Sequence, residues 1–273
     1  MLMSSVVMMA LLAAAPAPKK QPLTWKVTGT DVTFEMSSKD LRALRDGKEV
    51  FGLLSRKKGF LANFKSDPEA EHPQDTSDWE AAQSYTVLSV VGPWVSYEDN
   101  SGGFTGGWHP YAIRIYVTED VTKGKVPSAF NLLEVFPEKE VLKALKADEF
   151  VKQHVDNEEA FKKARTVESL LESLVPGEDC VGFQNGIDNV KRSVAFHHVE
   201  GDKVAVRIAF GYDKEVCRGE MFVVGVLLPI PESLKPALER ANTRQEGFLM
   251  KDARTVKAPS VNFEWDGSEQ KKP

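Results

Sequence analysis

The sequence predicts an α+β fold, in which an antiparallel sheet is covered on one face by helices. Segments with the two-residue alternation of strands occur in the first and last thirds of the chain. The longer segments with helical periodicity lie between them, and one short helix closes the order after the last strands. Because strands and helices do not alternate one by one, we do not expect a parallel sheet built from βαβ units.

The first third is predicted to contain short strands. Alternating runs at 23–28 and 31–36 flank a turn at Gly29 and Thr30. Residues 37–44 are predicted to form a helical turn, and the acidic, proline-interrupted stretch 67–75 is expected to be a solvated loop. A hairpin follows, with strand-like runs at 84–97 and 111–117.

Two helical regions are predicted in the middle. The first begins at Pro137 and continues to Val151, with an irregularity near Asp148. The second is expected to be capped by Asp156, with Glu159 three residues later, and to end before 176–177. Its apolar face repeats at three- and four-residue spacing: Phe161, Ala164, Val167, Leu170, Leu171 and Leu174.

The last third returns to strands. Runs at 193–199 and 203–210 flank a Glu-Gly-Asp turn, and 221–228 is predicted to be a central strand. A short helix at 232–241 and a docking strand at 261–265 are expected to follow, and the residues from 266 onward are expected to be disordered.

The composition allows a sizeable core and argues against a nucleic-acid partner. The chain has 273 residues, of which 42% are hydrophobic and 27% charged. Its net charge is −5, and its lysines and arginines are scattered rather than clustered on one face.

Residues 1–17 are predicted to be a signal peptide. The apolar run 6–15 is too short to cross a bilayer and ends in small residues, which is typical of a secretory signal cleaved after Ala15 or Ala17. The absence of Lys and Arg before the run leaves an uncleaved amphipathic start as the alternative. No cysteine follows to carry a lipid, and no later segment is apolar enough to span a membrane. We therefore expect an exported protein, periplasmic or secreted.

Cys180 and Cys217 are predicted to form a disulfide in an oxidising compartment, with two free buried thiols as the alternative. No metal site or other cofactor is predicted, because the chain has no CxxC motif. His197 and His198 are adjacent on a strand, so we expect them to point to opposite faces.

The segment 102–110, Gly-Gly-Phe-Thr-Gly-Gly-Trp-His-Pro, is the best candidate for a recognition surface. Four glycines in six residues permit unusual backbone conformations and close approach of another chain. The aromatic residues could stack on sugar rings or anchor a protein interface. The candidate ligand-binding residues are Phe104, Gly106, Gly107, Trp108, His109 and Tyr111.

Five aromatic residues cluster in sequence around this loop. They are Trp94, Tyr97, Phe104, Trp108 and Tyr111. Trp94 is expected to pack in the core, and Trp108 is either a core or a binding residue. His109 could bind an acidic partner or act as a general acid or base, or it could bond a neighbouring carbonyl and hold the loop together.

No catalytic residue is assigned from the sequence. The chain lacks the GxSxG, HExxH, P-loop and dinucleotide-binding motifs. Four acidic residues are interpreted as solvated loop carboxylates rather than a glycosidase pair: Glu178, Asp179, Asp188 and Glu215.

The order of elements from about 84 to 241 resembles the RsiV-like extracytoplasmic domain of bacterial envelope proteins, found in a lysozyme-sensing anti-sigma factor and beside the catalytic domain of some peptidoglycan deacetylases. The likeness is carried by 89–116 with its Gly-Gly-x-His-Pro loop, by 131–136, and by 204–238. Departures from the pattern are the insertion 102–105, Trp108 in place of a small residue, Tyr111 in place of a polar one, and the two cysteines.

The resemblance implies a noncatalytic binding module that recognises a cell-envelope ligand, either a lysozyme-like protein or peptidoglycan. The alternative is a hydrolase of envelope polysaccharide with His109 as acid or base. The chain is accordingly divided into a signal peptide (1–17), an N-terminal strand-rich part of the same globular unit (18–83), the RsiV-like domain (84–245) and a polar C-terminal tail (246–273).

Overall fold

Four short strands form an antiparallel meander at the start of the computed structural model, which describes residues 22–64, 75–106, 108–123, 128–174, 180–182, 187–212 and 215–268. They are β1 (Leu23–Lys26), β2 (Val32–Met36), β3 (Leu41–Arg45) and β4 (Lys48–Gly52). The helical turn expected at 37–44 is wrong, because Leu41 and Ala43 are buried in strand alternation. The two residues that follow β3, Asp46 and Gly47, adopt φ angles of 49° and 73° and form the turn of the β3–β4 hairpin.

The central sheet is built around two long strands. It contains β5 (Glu80–Val91), β6 (Trp94–Phe104), β7 (Tyr111–Asp120) and β8 (Ser128–Ala129), each antiparallel to the next. The other edge of β5 pairs with two strands from the end of the chain, β13 (Gly247–Phe248) and β14 (Ser260–Asp266). The docking strand expected at 261–265 is therefore confirmed.

A third sheet lies on the other side of the central one. Its strands are β9 (Val181–Gly182), β10 (Val194–Glu200), β11 (Lys203–Tyr212) and β12 (Phe222–Pro229). β11 is the central strand and pairs with the other three. The prediction that 221–228 is central is therefore wrong, and β12 is instead an edge strand among the residues that the structure describes.

The helices are short. They are α1 (Arg56–Ala62), α2 (Leu132–Val135), α3 (Glu138–Ala147), α4 (Glu149–Gln153), α5 (Glu158–Lys163), α6 (Val167–Leu171), α7 (Ile187–Val190), α8 (Lys235–Asn242) and α9 (Ala253–Val256). The irregularity expected near Asp148 is confirmed, since its carboxylate accepts a hydrogen bond from the Val151 amide and starts α4.

The second helical region is two helices rather than one. Asn157, not Asp156, caps α5 by accepting from the amide of Ala160. Ala164 then leaves the helical conformation, and Thr166 starts α6 with a capping box to Ser169. The competing cap at Thr166 explains the break, because its hydroxyl satisfies an amide that a continuous helix would bond otherwise. The expected stop at 176–177 lies outside the described residues.

The layers stack in the order first sheet, central sheet, third sheet, helices. One core joins the first sheet, α1 and the central sheet, and another joins the third sheet to the helices. Between the central and third sheets lies a thin contact of Leu88 and Tyr116 against Ala195 and Ala209. The α+β class is confirmed. The prediction of a single sheet is wrong. The described residues form three sheets, because β1 to β4 pair among themselves and β9 to β12 do the same.

Candidate functional site

The β6–β7 hairpin places the glycine-rich segment at one end of the central sheet, where the two strands are connected. Its first two glycines belong to the strand, since Gly102 pairs with Ala112 and Gly103 with Tyr111. A Cβ atom at Gly103 would lie 2.2 Å from the carbonyl oxygen of Glu80 on β5. Glycine is required there because the neighbouring backbone is too close for a side chain. The recognition loop proper, which we call the tip, is therefore 105–110.

Trp79 supports one side of the tip. Gly106 has a φ angle of +81°, and a Cβ atom on it would lie 2.6 Å from Trp79 Nε1. The Trp79 indole thus occupies the space that a side chain at position 106 would need. The other candidate glycine, Gly107, lies outside the described residues. Sequence reasoning missed Trp79, although its position directly before a long strand is a signal that could have drawn attention to it.

A segment more than a hundred residues later holds the other side of the tip. The Arg218 guanidinium donates to the carbonyl of Pro110 and lies 2.9 Å from Glu215 Oε1. Gly219, with a φ angle of +78°, packs against Ala112, whose Cβ would be 3.0 Å from a Cβ at that position. The carbonyl bond that was one expectation for His109 is made by Arg218 instead.

A disulfide fixes this supporting segment to the third sheet. Cys217 ends a short 3-10 turn, Glu215–Cys217, and is bonded to Cys180, with the two Cα atoms 5.7 Å apart. Cys180 directly precedes β9, which pairs with the end of β11. The predicted bridge is confirmed, and it connects the tip's support to the body of the protein through Arg218.

The tip projects apolar and polar groups into solvent. The Trp108 side chain is 98% exposed, and Val216 on the supporting segment is 86% exposed. His109 is also exposed and forms no hydrogen bond or ion pair with other described residues. Phe104 and Tyr111 are half-buried at the base, where burial raises the pKa of the Tyr111 phenol. Tryptophan is highly buried in most proteins, so Trp108 is unusual.

An open groove of about 800 Å³ lies beside the base of the hairpin. Gly102 and Gly103 form part of its wall, and the rest comes from α1, β5 and β14. Its charged side chains are Lys57, Glu80, Glu264 and Asp266. The groove offers mainly carboxylate acceptors, which suit hydroxyl and amide donors of a ligand.

The five aromatic residues near the loop do not form one cluster. Tyr97 is buried near the opposite end of β6 and donates its hydroxyl hydrogen to Glu119. Trp94 is half-buried at that end and packs edge-on against Phe130, with ring centroids 5.1 Å apart. Core packing of Trp94, as expected, is thus confirmed. A strand of eleven residues separates this end from the tip.

Sequence reasoning also missed a buried charge pair beside Tyr97. Arg56 Nη2 donates to Glu119 Oε2 at 2.8 Å, and the guanidinium carbon lies 4.8 Å from the Tyr97 ring centroid. Burial alone would lower the pKa of Arg56, but Tyr97 and Glu119 raise it above its usual value. Burial raises the pKa of Tyr97 well above its usual value and that of Tyr85 to about 12. This cluster joins α1 to the central sheet.

The expectation for the two adjacent histidines is wrong. A β-bulge between Phe196 and His198 leaves His197 without a partner on β11. The side chains no longer alternate, and the Nδ1 atoms of His197 and His198 lie 2.8 Å apart. The strand rule fails here because it assumes a regular pleat.

The four acidic residues do not form a catalytic pair among the described positions. Asp188 is exposed and pairs with Lys191, and Glu215 pairs with Arg218. Glu178 and Asp179 lie outside the part of the chain that the structure describes. Within that part, three potential ligands converge at Cys180, Cys217 and Glu220, but the two sulfurs are joined to each other and are not thiolates.

Comparison with protein-family models found no match, and comparison with curated proteins found none that is significant. No helix within the described ranges has both the length and the apolarity needed to cross a bilayer.

Proposed function

We propose that this protein is an exported, noncatalytic binding module that recognises a cell-envelope ligand through the tip of the β6–β7 hairpin. The observation that carries the proposal is the exposure of Trp108, 98%, on a loop that is anchored from both sides. An exposed indole can stack on a sugar ring or fill a pocket of a protein partner. Val216, on the segment that supports the tip, is a second exposed apolar side chain.

Export is supported by the signal-like segment 1–17, which lies outside the described residues, and by the disulfide. A Cys180–Cys217 bridge is compatible with an oxidising compartment. The likeness to RsiV-like domains supports the envelope as the location of the ligand, which is either a lysozyme-like protein or peptidoglycan.

The hydrolase alternative has no observation in its favour. An acid–base role for His109 would need a carboxylate or nucleophile within hydrogen-bond reach. None of the described residues supplies one to its exposed imidazole.

The proposal is tested by titrating the signal-free protein with a lysozyme-type muramidase and, separately, with purified peptidoglycan. We expect saturable binding to one of them, reduced at least about tenfold by Trp108→Ala, which corresponds to an interface hot spot. Leu23→Ala is the matched control, since it removes an exposed apolar side chain from the first sheet. Equal affinity of wild type and Trp108→Ala, or binding to neither ligand, would refute the proposal.

A substitution in the groove distinguishes the two candidate ligands. If peptidoglycan is the ligand, Glu264→Gln should also weaken binding, because the groove beside the hairpin would hold the polymer through its hydroxyl and amide groups. If a muramidase is the ligand and contacts only the tip, Glu264→Gln should leave its affinity unchanged. Circular dichroism of each variant verifies that it is folded.

A further inference from the structure

The β-bulge in β10 brings two imidazoles together outside the binding tip. Regular strand geometry would direct adjacent side chains to opposite faces. His197 is the extra residue of the bulge, and its ring lies against that of His198. The two rings meet nearly edge-to-face, with centroids 5.0 Å apart. Bulges commonly redirect side chains next to functional sites.

We propose that His197 and His198 bind a divalent transition-metal ion through their two Nδ1 atoms. These atoms are 2.8 Å apart. With metal–nitrogen bonds of about 2.0 Å, two nitrogens at a right angle are separated by about 2.8 Å, whereas tetrahedral ligands are about 3.3 Å apart. The spacing therefore suits the square or octahedral coordination of Cu²⁺ or Ni²⁺ better than the tetrahedral coordination of Zn²⁺.

The surroundings leave both imidazoles accessible to solvent. Both imidazoles are partly exposed, so an ion can enter from solvent and complete its coordination with water. Glu200 Oε2 lies 3.8 Å from His198 Nε2, on the side of the ring away from Nδ1. That distance is too long for a hydrogen bond. The two Nδ1 atoms share a hydrogen instead, one donating to the other, and a bound ion would displace it.

Arg207 is the cation that acts most directly on the pair. Its positive charge lies close enough to the imidazole of His197 to act on it electrostatically. The same positive charge repels a bound cation and reduces its affinity. Arg207→Gln is therefore expected to strengthen metal binding, provided that the histidines are the ligands.

The test is titration of untagged protein with Cu²⁺, followed by electron paramagnetic resonance. We expect the spectrum of the wild type to show two equatorial nitrogens, and that of His197→Asn or His198→Asn to show one. Either substitution should weaken Cu²⁺ binding at least about tenfold, because the second nitrogen binds as an intramolecular ligand. Nickel is expected to bind at the same pair.

His154→Asn is the control, because its imidazole is remote in sequence, directly after α4, and its Nδ1 is 2.8 Å from the Phe150 carbonyl oxygen. Its Cu²⁺ affinity and spectrum should match those of the wild type. Unchanged affinity in both His197→Asn and His198→Asn, with circular dichroism verifying their fold, would overturn the proposal. An equal loss in the His154→Asn control would also overturn it.

Discussion

The two ends of the β6–β7 hairpin both carry aromatic side chains, but only one end buries them. At the end of the hairpin away from the tip, Tyr97 is covered by the first sheet and has a polar partner in Glu119. At the tip, Trp108 has neither a covering layer nor a hydrogen-bond partner among the described residues. Aromatic residues on one hairpin thus serve the core or the surface according to which layer lies over them.

The two ends also differ in how they are held. The end away from the tip is fixed by the charge pair of Arg56 and Glu119. The tip is fixed by the hydrogen bond from the Arg218 side chain, on the disulfide-bonded segment, to the Pro110 carbonyl. Interfering with each anchor should therefore have different effects on stability and on binding.

The largest effect is expected from removing the disulfide with Cys180→Ser and Cys217→Ser. The bridge joins residues 37 positions apart, and in the chain-entropy model its loss lowers the free energy of unfolding by about 3–4 kcal/mol. Urea denaturation measures this change. Ligand affinity should fall as well, because the support of the tip loosens. Stability within 1 kcal/mol of the wild type, a margin of about fivefold in the folding equilibrium, would contradict the expectation.

Breaking the buried pair should affect stability alone. Arg56→Leu leaves the Glu119 carboxylate without its cation, and because Glu119 is largely buried we expect a loss of about 3 kcal/mol. Arg114→Leu is the matched control, since Arg114 forms an exposed pair with Glu98 on the same hairpin and should cost about 0–1 kcal/mol. Similar losses in the two variants would indicate that Arg56 is not an interior anchor.

Alkaline pH should lower the free energy of unfolding through the buried tyrosines next to Arg56. The pKa of Tyr85 is raised from 10.0 to about 12 in the folded protein, so the unfolded chain releases this proton first. Stability should be unaffected below pH 10 and should fall between pH 10 and 12. Denaturation at several pH values checks this, and Tyr85→Phe should flatten the decline. An equally steep decline in that variant would show that other groups are responsible.

The smallest effect on stability is expected at the tip. Trp108→Ala removes a side chain that is 98% exposed, so the free energy of unfolding should change by less than about 0.5 kcal/mol. The same substitution should remove the most red-shifted part of the tryptophan fluorescence, because this indole is in water. A large loss of stability would mean that Trp108 packs against the body of the protein in solution.

Local signals predicted much of the fold. The hairpin of β10 and β11 followed from its Gly201 turn, and the start of α4 followed from the irregularity at Asp148. The strand β3 was missed even though Asp46–Gly47 is one of the strongest hairpin signals, because the short polar stretch before it was interpreted as helical. The prediction of one continuous helix was wrong at Thr166, because the cap at this residue starts a new helix although the apolar periodicity continues without a break.

Residue types and their spacing along the chain by themselves determined the α+β class and the position of the glycine-rich hairpin, and they favoured a disulfide between the two cysteines. Only the tertiary structure decided which aromatic residues are exposed, that Trp79 and Arg218 support the tip, and that a bulge turns His197 toward His198. The reason is physical. Periodicity and turn chemistry act between neighbours in the chain, whereas exposure and convergence depend on layers that distant segments contribute.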